Sequence, residues 1–209
     1  MDVGSSKTPQ RAGVAGIVLA AGEGKGFGGP KALVRFGGQT LVERAVQTLL
    51  AGGCRPVCVV LGAAAEQVRQ TSVLDNAIVV VNEQWPDGIG GSLRVGLEAA
   101  RRERVGAALV LLADQPLVTP ALVKRLIGAW RAGARAAVAA FRGEGLTPVL
   151  LDRALWRRVS RTAVGDVGAR ALLRAQPELV TPVDCDDVGS PDDIDTPEDL
   201  DRLERGTSL

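Results

Sequence analysis

An apolar run, "GIVLAAG", leads into a glycine cluster that ends in Pro-Lys, so that residues 16–33 read GIVLAAGEGKGFGGPKAL. Glycine exposes backbone amides and lets them approach a ligand closely. Three chemistries use such a loop. Gly24-x-Gly26-x-x-Gly29 matches the dinucleotide fingerprint by letter, although that motif needs its last glycine to open a helix, and here Pro30-Lys31 follow. A Walker A loop ends in Gly-Lys-Ser/Thr, and Pro30 interrupts that ending. The third is an extended loop whose amides wrap a triphosphate while Lys31 reaches a phosphate oxygen.

The chain has no histidine. A Ser-His-Asp triad, a Cys-His pair and an imidazole base are thereby excluded. Chemistry must rest on carboxylates, lysine, arginine, backbone amides or a bound metal. Cys54, Cys58 and Cys185 make a poor zinc set without histidine or further cysteines, and read as buried structural thiols. Net charge is +1, unevenly spread: residues 184–204 hold ten acids and one arginine, leaving a net +10 on the remainder. A basic body with an acidic end suits an anionic ligand held partly through a divalent cation. The basic excess is scattered, without aromatic interleaving, so nucleic acid is not an expected partner.

These residues need a scaffold to converge. Runs of Val, Leu, Ile and Ala predict strands at about 14–20, 56–61, 77–81, 107–113 and 135–140. Helical patterns fall at about 40–51, 64–71, 91–103, 119–132, 152–159 and 167–175, with a further helix start at Thr196-Pro197-Glu198-Asp199. Strands apolar on both faces and separated by helices predict a mostly parallel sheet covered on two sides, a three-layer α/β fold. One domain over 13–205 is expected, after a disordered leader over 1–12. No apolar run approaches a membrane span and no signal core is present, so a cytoplasmic protein with no membrane partner is expected. In open α/β sheets ligands bind beyond the carboxyl ends of the strands. The loop after the first strand, Asn82-Glu83-Gln84-Trp85 and Ala113-Asp114-Gln115-Pro116 therefore carry the interest.

The segment "LAAGEGKGFGGPK" resembles the nucleotidyltransferase signature L-A-A-G-x-x-x-R-x-G-x-x-K of the MobA-like family, which includes the cytidylyl- and guanylyltransferases of molybdenum cofactor maturation. "VNEQWPDGIGGSLRVGL", "LLADQP", "VGDVGARALL" and "DIDTPEDL" are similar to further motifs of that family, in the same order, over residues 16–200. The resemblance implies a Rossmann-like fold of the nucleotide-diphospho-sugar transferase type. It also implies transfer of NMP from an NTP to a phosphorylated small molecule, with pyrophosphate released. "LAAG" and "DQP" tilt it toward CTP over GTP and toward molybdopterin as acceptor.

Nucleotidyl transfer requires positioning and electrostatics and no covalent intermediate, which a chain without histidine can supply. Mg²⁺, or Mn²⁺, is the natural cation because hard oxygen ligands and substrate phosphates suit it. Asp114, at the tip of an apolar strand, is the first candidate ligand; its other reading is a helix cap. Asp195 is the second candidate, with Asp193 close behind. The resemblance implies that Leu19, Ala20, Ala21, Gly22 and Gly24 meet the nucleotide and that Lys31 holds the α-phosphate. It places Asn82 and Ser92 near base or ribose, and Thr147, Asp166 and Arg170 on the acceptor side. Asp166 reads equally as a helix cap and Arg170 as the partner of a surface acid.

Two positions depart from the pattern. Gly26 stands where the family has an arginine that grips the leaving phosphates, with Lys25 adjacent as the substitute cation. Thr147 stands where cytidylyltransferases of the family often carry histidine. The first departure motivates an alternative, an NTP-binding protein without transfer activity. The fingerprint match motivates another, an NAD(P)-linked oxidoreductase with Glu43 as the acidic ribose reader; the other reading of Glu43 is a solvent-facing helix residue.

Overall fold

The structure is a computed structural model that describes residues 13–207; the leader expected at 1–12 lies outside the described residues. Its strands are β1 (Gly13–Ala20), β2 (Arg35–Phe36), β3 (Gln39–Thr40), β4 (Val57–Leu61), β5 (Ile78–Val81), β6 (Val105–Leu112), β7 (Ala136–Phe141), β8 (Glu144–Asp152) and β9 (Val180–Asp184). The helices are α1 (Leu41–Gly52), α2 (Ala65–Thr71), α3 (Ile89–Arg101), α4 (Pro120–Arg131), α5 (Trp156–Thr162), α6 (Arg170–Ala175) and α7 (Pro197–Thr207).

Seven strands form one sheet in the order β5-β4-β1-β6-β8-β7-β9. β1 pairs in parallel with both β4 and β6, whereas β8 runs antiparallel to β6 and to β7. The three-layer, mostly parallel α/β architecture expected from the sequence is the one found. The strand list was incomplete. β8 and β9 carry Thr147-Pro148 and Thr181-Pro182, which break the apolar runs by which strands are recognised. The helix expected at 152–159 starts later, because β8 runs to Asp152 and a 3-10 turn at Arg153–Leu155 precedes α5.

Alternation along the strands splits the core in two. Val14, Val18 and Ala20 of β1 join Val46 and Leu49 of α1 and Leu122 and Leu126 of α4 on one face. Ala15, Ile17 and Leu19 join Leu93 and Leu97 of α3 and Trp156 of α5 on the other. Burying both faces of a strand explains why β1, β4 and β6 are apolar almost throughout. The three cysteines are buried and unbridged; burial pushes the Cys54 thiol up to about 12 and the Cys58 thiol up to about 11, which suits structural thiols.

A third, small cluster decides the site. Phe36 and Leu41 pack with Ile194 and Leu203, so the acidic C-terminal segment is fastened beside the glycine loop. Thr196 and Asp199 form a reciprocal cap at the start of α7: the Asp199 amide donates to Thr196 Oγ1 at 3.2 Å, and the Thr196 amide to Asp199 Oδ2 at 3.0 Å. Among the described residues no helix is long and apolar enough to cross a membrane.

Candidate active site

Beyond the carboxyl end of β1 lies a cleft of about 350 Å³. Its walls include Leu19, Ala20, Ala21, Gly22, Gly24, Lys25, Lys31, Ser92, Asp114 and Asp166. Most of the residues singled out from the sequence thus share one cavity at the place a doubly covered sheet provides for a ligand.

The glycine loop is not the extended wrap anticipated. Gly24 adopts a left-handed conformation (φ +71°), and a side chain there would put its β-carbon 1.9 Å from the Gly29 carbonyl oxygen. The loop closes into a compact turn in which the Gly24 carbonyl accepts from the amides of Phe27, Gly28 and Gly29 at 2.9, 3.0 and 3.3 Å. Those amides are taken. The glycines serve first to fold the loop on itself, and Pro30 then leads into a 3-10 turn that begins with Lys31.

Lys31 Nζ donates to Asp114 Oδ2 and to Asp195 Oδ1, both at 2.6 Å. Partial burial pulls the Lys31 pKa down, but Asp114 and then Asp195 outweigh it and hold the ammonium above its ordinary value. Asp114 sits at the turn after β6, so a parallel strand and the C-terminal segment bring their carboxylates to one cation. The Asp114 carbonyl accepts from the Ile194 amide at 2.9 Å, and Gln115 Nε2 donates to the Pro191 carbonyl at 3.3 Å. These contacts stitch the acidic segment across the tip of β6. Asp114 is not a helix cap: α4 is capped by Thr119, whose Oγ1 accepts from the Leu122 amide at 3.2 Å.

Asp114 Oδ1 is buried and has no hydrogen-bond partner among the described residues. An orphaned carboxylate oxygen beside a second carboxylate is the donor set a hard divalent cation takes, with substrate phosphates completing its shell. Asp114 and Asp195 therefore fit such an ion, although no group of three or more acidic, histidine or cysteine ligands converges among the described residues. The Asp193 carboxyl is raised by partial burial and then by the nearby Asp195 and Asp114 carboxylates. It is Asp195, not Asp193, that reaches Lys31.

Other expected residues divide. Ser92, near the start of α3, lines the cleft. Asn82 is not in its wall: it is buried behind Ser92, donating from Nδ2 to Ser92 Oγ at 3.1 Å and accepting from the Gln84 amide at 3.1 Å. Its task here is to hold a turn and a hydroxyl. Asp166 lies in a 3-10 turn at Gly165–Val167 and lines the cleft, and α6 begins at Arg170 without a side-chain cap. The capping role considered for Asp166 is therefore not the one it plays. Thr147 and Arg170 line an adjoining cavity of about 330 Å³ that shares Leu19, Ile89, Leu112 and Asp166 with the first. Arg170 pairs with no surface acid among the described residues.

The departures acquire geometry. A β-carbon on Gly26 would lie 3.0 Å from the Asp195 carbonyl oxygen, so the acidic segment would have to give by a few tenths of an ångström to admit a side chain there. Lys25 is 85% exposed at its side chain, 3.5 Å from Glu23, and also lines the cleft. Glu43 is no ribose reader. Its carboxylate accepts from the Thr40 amide at 2.9 Å and the Val73 amide at 2.8 Å, closing the cap of α1. The dinucleotide fingerprint fails with it, because Gly29 lies in the folded turn and opens no helix. Trp85, in a segment the sequence singled out, lines the cleft, whereas Pro86 and Ile89 were missed; they sit in the segment "NEQWPDGIGGS", whose pattern pointed to the site without separating wall from support.

The chain is 42% identical over 185 residues to a protein of Paenarthrobacter nicotinovorans named nicotine blue oxidoreductase, covering 83% of this chain and 88% of that one. It superposes on Rv0371c of Mycobacterium tuberculosis H37Rv with a TM-score of 0.80 and 30% identity, over 94% of this chain and all (100%) of that one. A structure of that protein is described as a complex with manganese and superposes at a TM-score of 0.74, with 28% identity, over 94% of this chain and 100% of that one. A nucleotidyl transferase of Methanothermobacter shares the fold at a TM-score of 0.77 and 23% identity, over 92% of this chain and 96% of its own. The model of the MobA-like NTP transferase domain matches residues 16–180, the span that builds β1, the glycine loop, Ser92, Asp114 and Arg170, and on that match the chain belongs to the MobA-like nucleotidyltransferase family.

Proposed function

We propose that residues 13–205 act as one domain that moves NMP from an NTP, CTP before GTP, to a phosphorylated small molecule and releases pyrophosphate. The observation that carries this reading is the convergence of Asp114 and Asp195 on Lys31, with Lys31 and Asp114 lining the same cleft as Leu19 to Gly24. An oxygen of the acceptor's phosphate attacks the α-phosphorus, and the bond from that phosphorus to the pyrophosphate oxygen breaks. The chain contributes position and charge. Lys31, partly withdrawn from bulk water, places its ammonium where negative charge grows at the α-phosphate. Leu19 to Gly24 and Ser92 orient the nucleoside, and Lys25 faces the leaving pyrophosphate. Asp114 and Asp195 would hold Mg²⁺ or Mn²⁺, which supplies neutralisation of phosphate charge when bound. The manganese complex described for the mycobacterial relative supports a divalent ion of this kind.

The acceptor-side cavity carries Thr147, Asp166 and Arg170, and the resemblance favours a phosphorylated pterin such as molybdopterin there. Absence of the motif arginine removes one charged donor from the leaving phosphates, a loss that commonly costs roughly 10² to 10³ in rate. Turnover is therefore expected to be slow unless Lys25 substitutes.

A second reading is reduction by NAD(P)H, favoured by the name of the relative at 42% identity. A nicotinamide dinucleotide would then occupy the same cleft, without Glu43 as its ribose reader. One comparison separates the readings. Pyrophosphate release from CTP with Mg²⁺ and molybdopterin supports transfer; oxidation of NADPH by nicotine blue, with no pyrophosphate from any NTP, replaces it. Tight binding of CTP with neither turnover leaves an NTP-binding protein of the same fold.

A further inference from the structure

The groove does not end at the acceptor-side cavity. That cavity continues through Val138, Gly145, Arg170 and Leu173 into a third, of about 250 Å³. The middle of this trench is walled by apolar side chains, among them Leu93, Val110 and Val149. Its far end is different. Arg170 and Arg174, one turn apart on α6, both line it and both are exposed. Neither guanidinium has a hydrogen-bond or ion-pair partner among the described residues.

Like charges four residues apart on a helix destabilise it modestly. An apolar channel ending in two unpaired guanidiniums suits a ligand with an apolar body and an anionic end. Arginine forks match phosphate oxygens in pairs, which a single lysine would not do.

We propose that the trench is a binding site for the far half of an elongated ligand, with an apolar ring-sized body over Leu173 and a distal phosphate held by Arg170 and Arg174. This rests on the transferase reading only for what lies at its near end. There the ligand's other phosphate would meet the nucleotide beside Asp166; a phosphorylated pterin with one phosphate would fill only that near end, whereas a ligand that fills the trench carries two anionic ends separated by an apolar segment. Arg170 belongs to the motif "GDVGAR"; Arg174 lies beyond it and enters the site only through the helical repeat.

The test uses the full chain, α-naphthyl phosphate as probe, α-naphthol as its uncharged counterpart, and calorimetry. The ester is expected to bind at least about tenfold more tightly than the alcohol, and Arg170→Ala or Arg174→Ala to remove about that factor, as befits loss of charged hydrogen bonds. Binding should persist when CTP and Mg²⁺ are saturating, because the probe lies outside the nucleotide cleft. Equal affinity for ester and alcohol, unchanged affinity in both variants, or displacement of the ester by CTP each overturns the site. Arg174→Gln, read beside its melting temperature, covers the case in which the alanine variants fold poorly. If CTP does not bind while the ester still needs both arginines, the transferase reading falls and the trench stands.

Discussion

Gly26 and Asp195 lie so close that a β-carbon on residue 26 would stand 3.0 Å from the Asp195 carbonyl oxygen. The contact explains why the acidic segment can deliver a carboxylate to Lys31 at 2.6 Å across the glycine loop. Small size at residue 26 and the position of Asp195 are one feature.

Gly26→Arg follows from that contact. Crowding backbone against a new β-carbon costs about 1 to 3 kcal/mol, so the melting temperature is expected to fall by a few degrees. The guanidinium restores a donor for the leaving phosphates, and pyrophosphate release from CTP should rise by roughly 10². An unchanged melting temperature would show that the segment does not sit against residue 26 in solution; an unchanged rate would show that the arginine does not reach phosphate.

Asp114→Asn addresses the cation. Removing a charged ligand should weaken Mn²⁺ binding by about tenfold or more, followed through the paramagnetic resonance of free Mn²⁺. Lys31→Met should act in the opposite direction on the nucleotide-free protein, since it removes the ammonium that competes for the same two carboxylates. Mn²⁺ affinity insensitive to both changes would place the ion elsewhere.

Glu43 supplies a pH dependence remote from the chemistry. Partial burial raises its pKa, but the amides of Val73 and Thr40 outweigh that and hold the carboxyl below its ordinary value. A depressed carboxyl stabilises the fold above its unfolded pKa, and the contribution disappears as pH falls through the folded value. Glu43→Gln is therefore expected to lower stability by about 1 kcal/mol at pH 7, the size of a lost cap. The gap should close as pH falls through the depressed folded value, where the wild-type carboxylate protonates. Urea titrations across that range decide it, and a gap constant with pH would mean the cap does not depend on charge.

Much of the scaffold could be read from residue patterns. The five apolar strands and the α7 start at Thr196 rest on local rules of burial and capping that act within a few residues. β8 was hidden because it is antiparallel, broken by Pro148, and follows β7 after a two-residue turn at Arg142 and Gly143. Gly24 illustrates the limit at the site: its presence announced a special backbone, yet the folding of the turn onto Gly24's own carbonyl belongs to the tertiary structure. Asn82 and Ser92 look equivalent as polar residues near strand and helix ends, but one supports and the other lines the cleft.

By itself the sequence determined the α/β class, the exclusion of imidazole chemistry, the place of the glycine loop after β1, and the candidacy of Lys31, Asp114 and Asp195. Each follows from residue type, short-range spacing or motif order. The tertiary structure alone decided that Asp195 reaches Lys31 across 164 positions of chain, and that Glu43 is spent on a cap. It alone joined Arg170 and Arg174 to the trench. Such pairings depend on how the third apolar cluster docks α7 and how α6 lies over the sheet. Local pattern carries no signal for contacts that arise only when distant elements bury their apolar faces together.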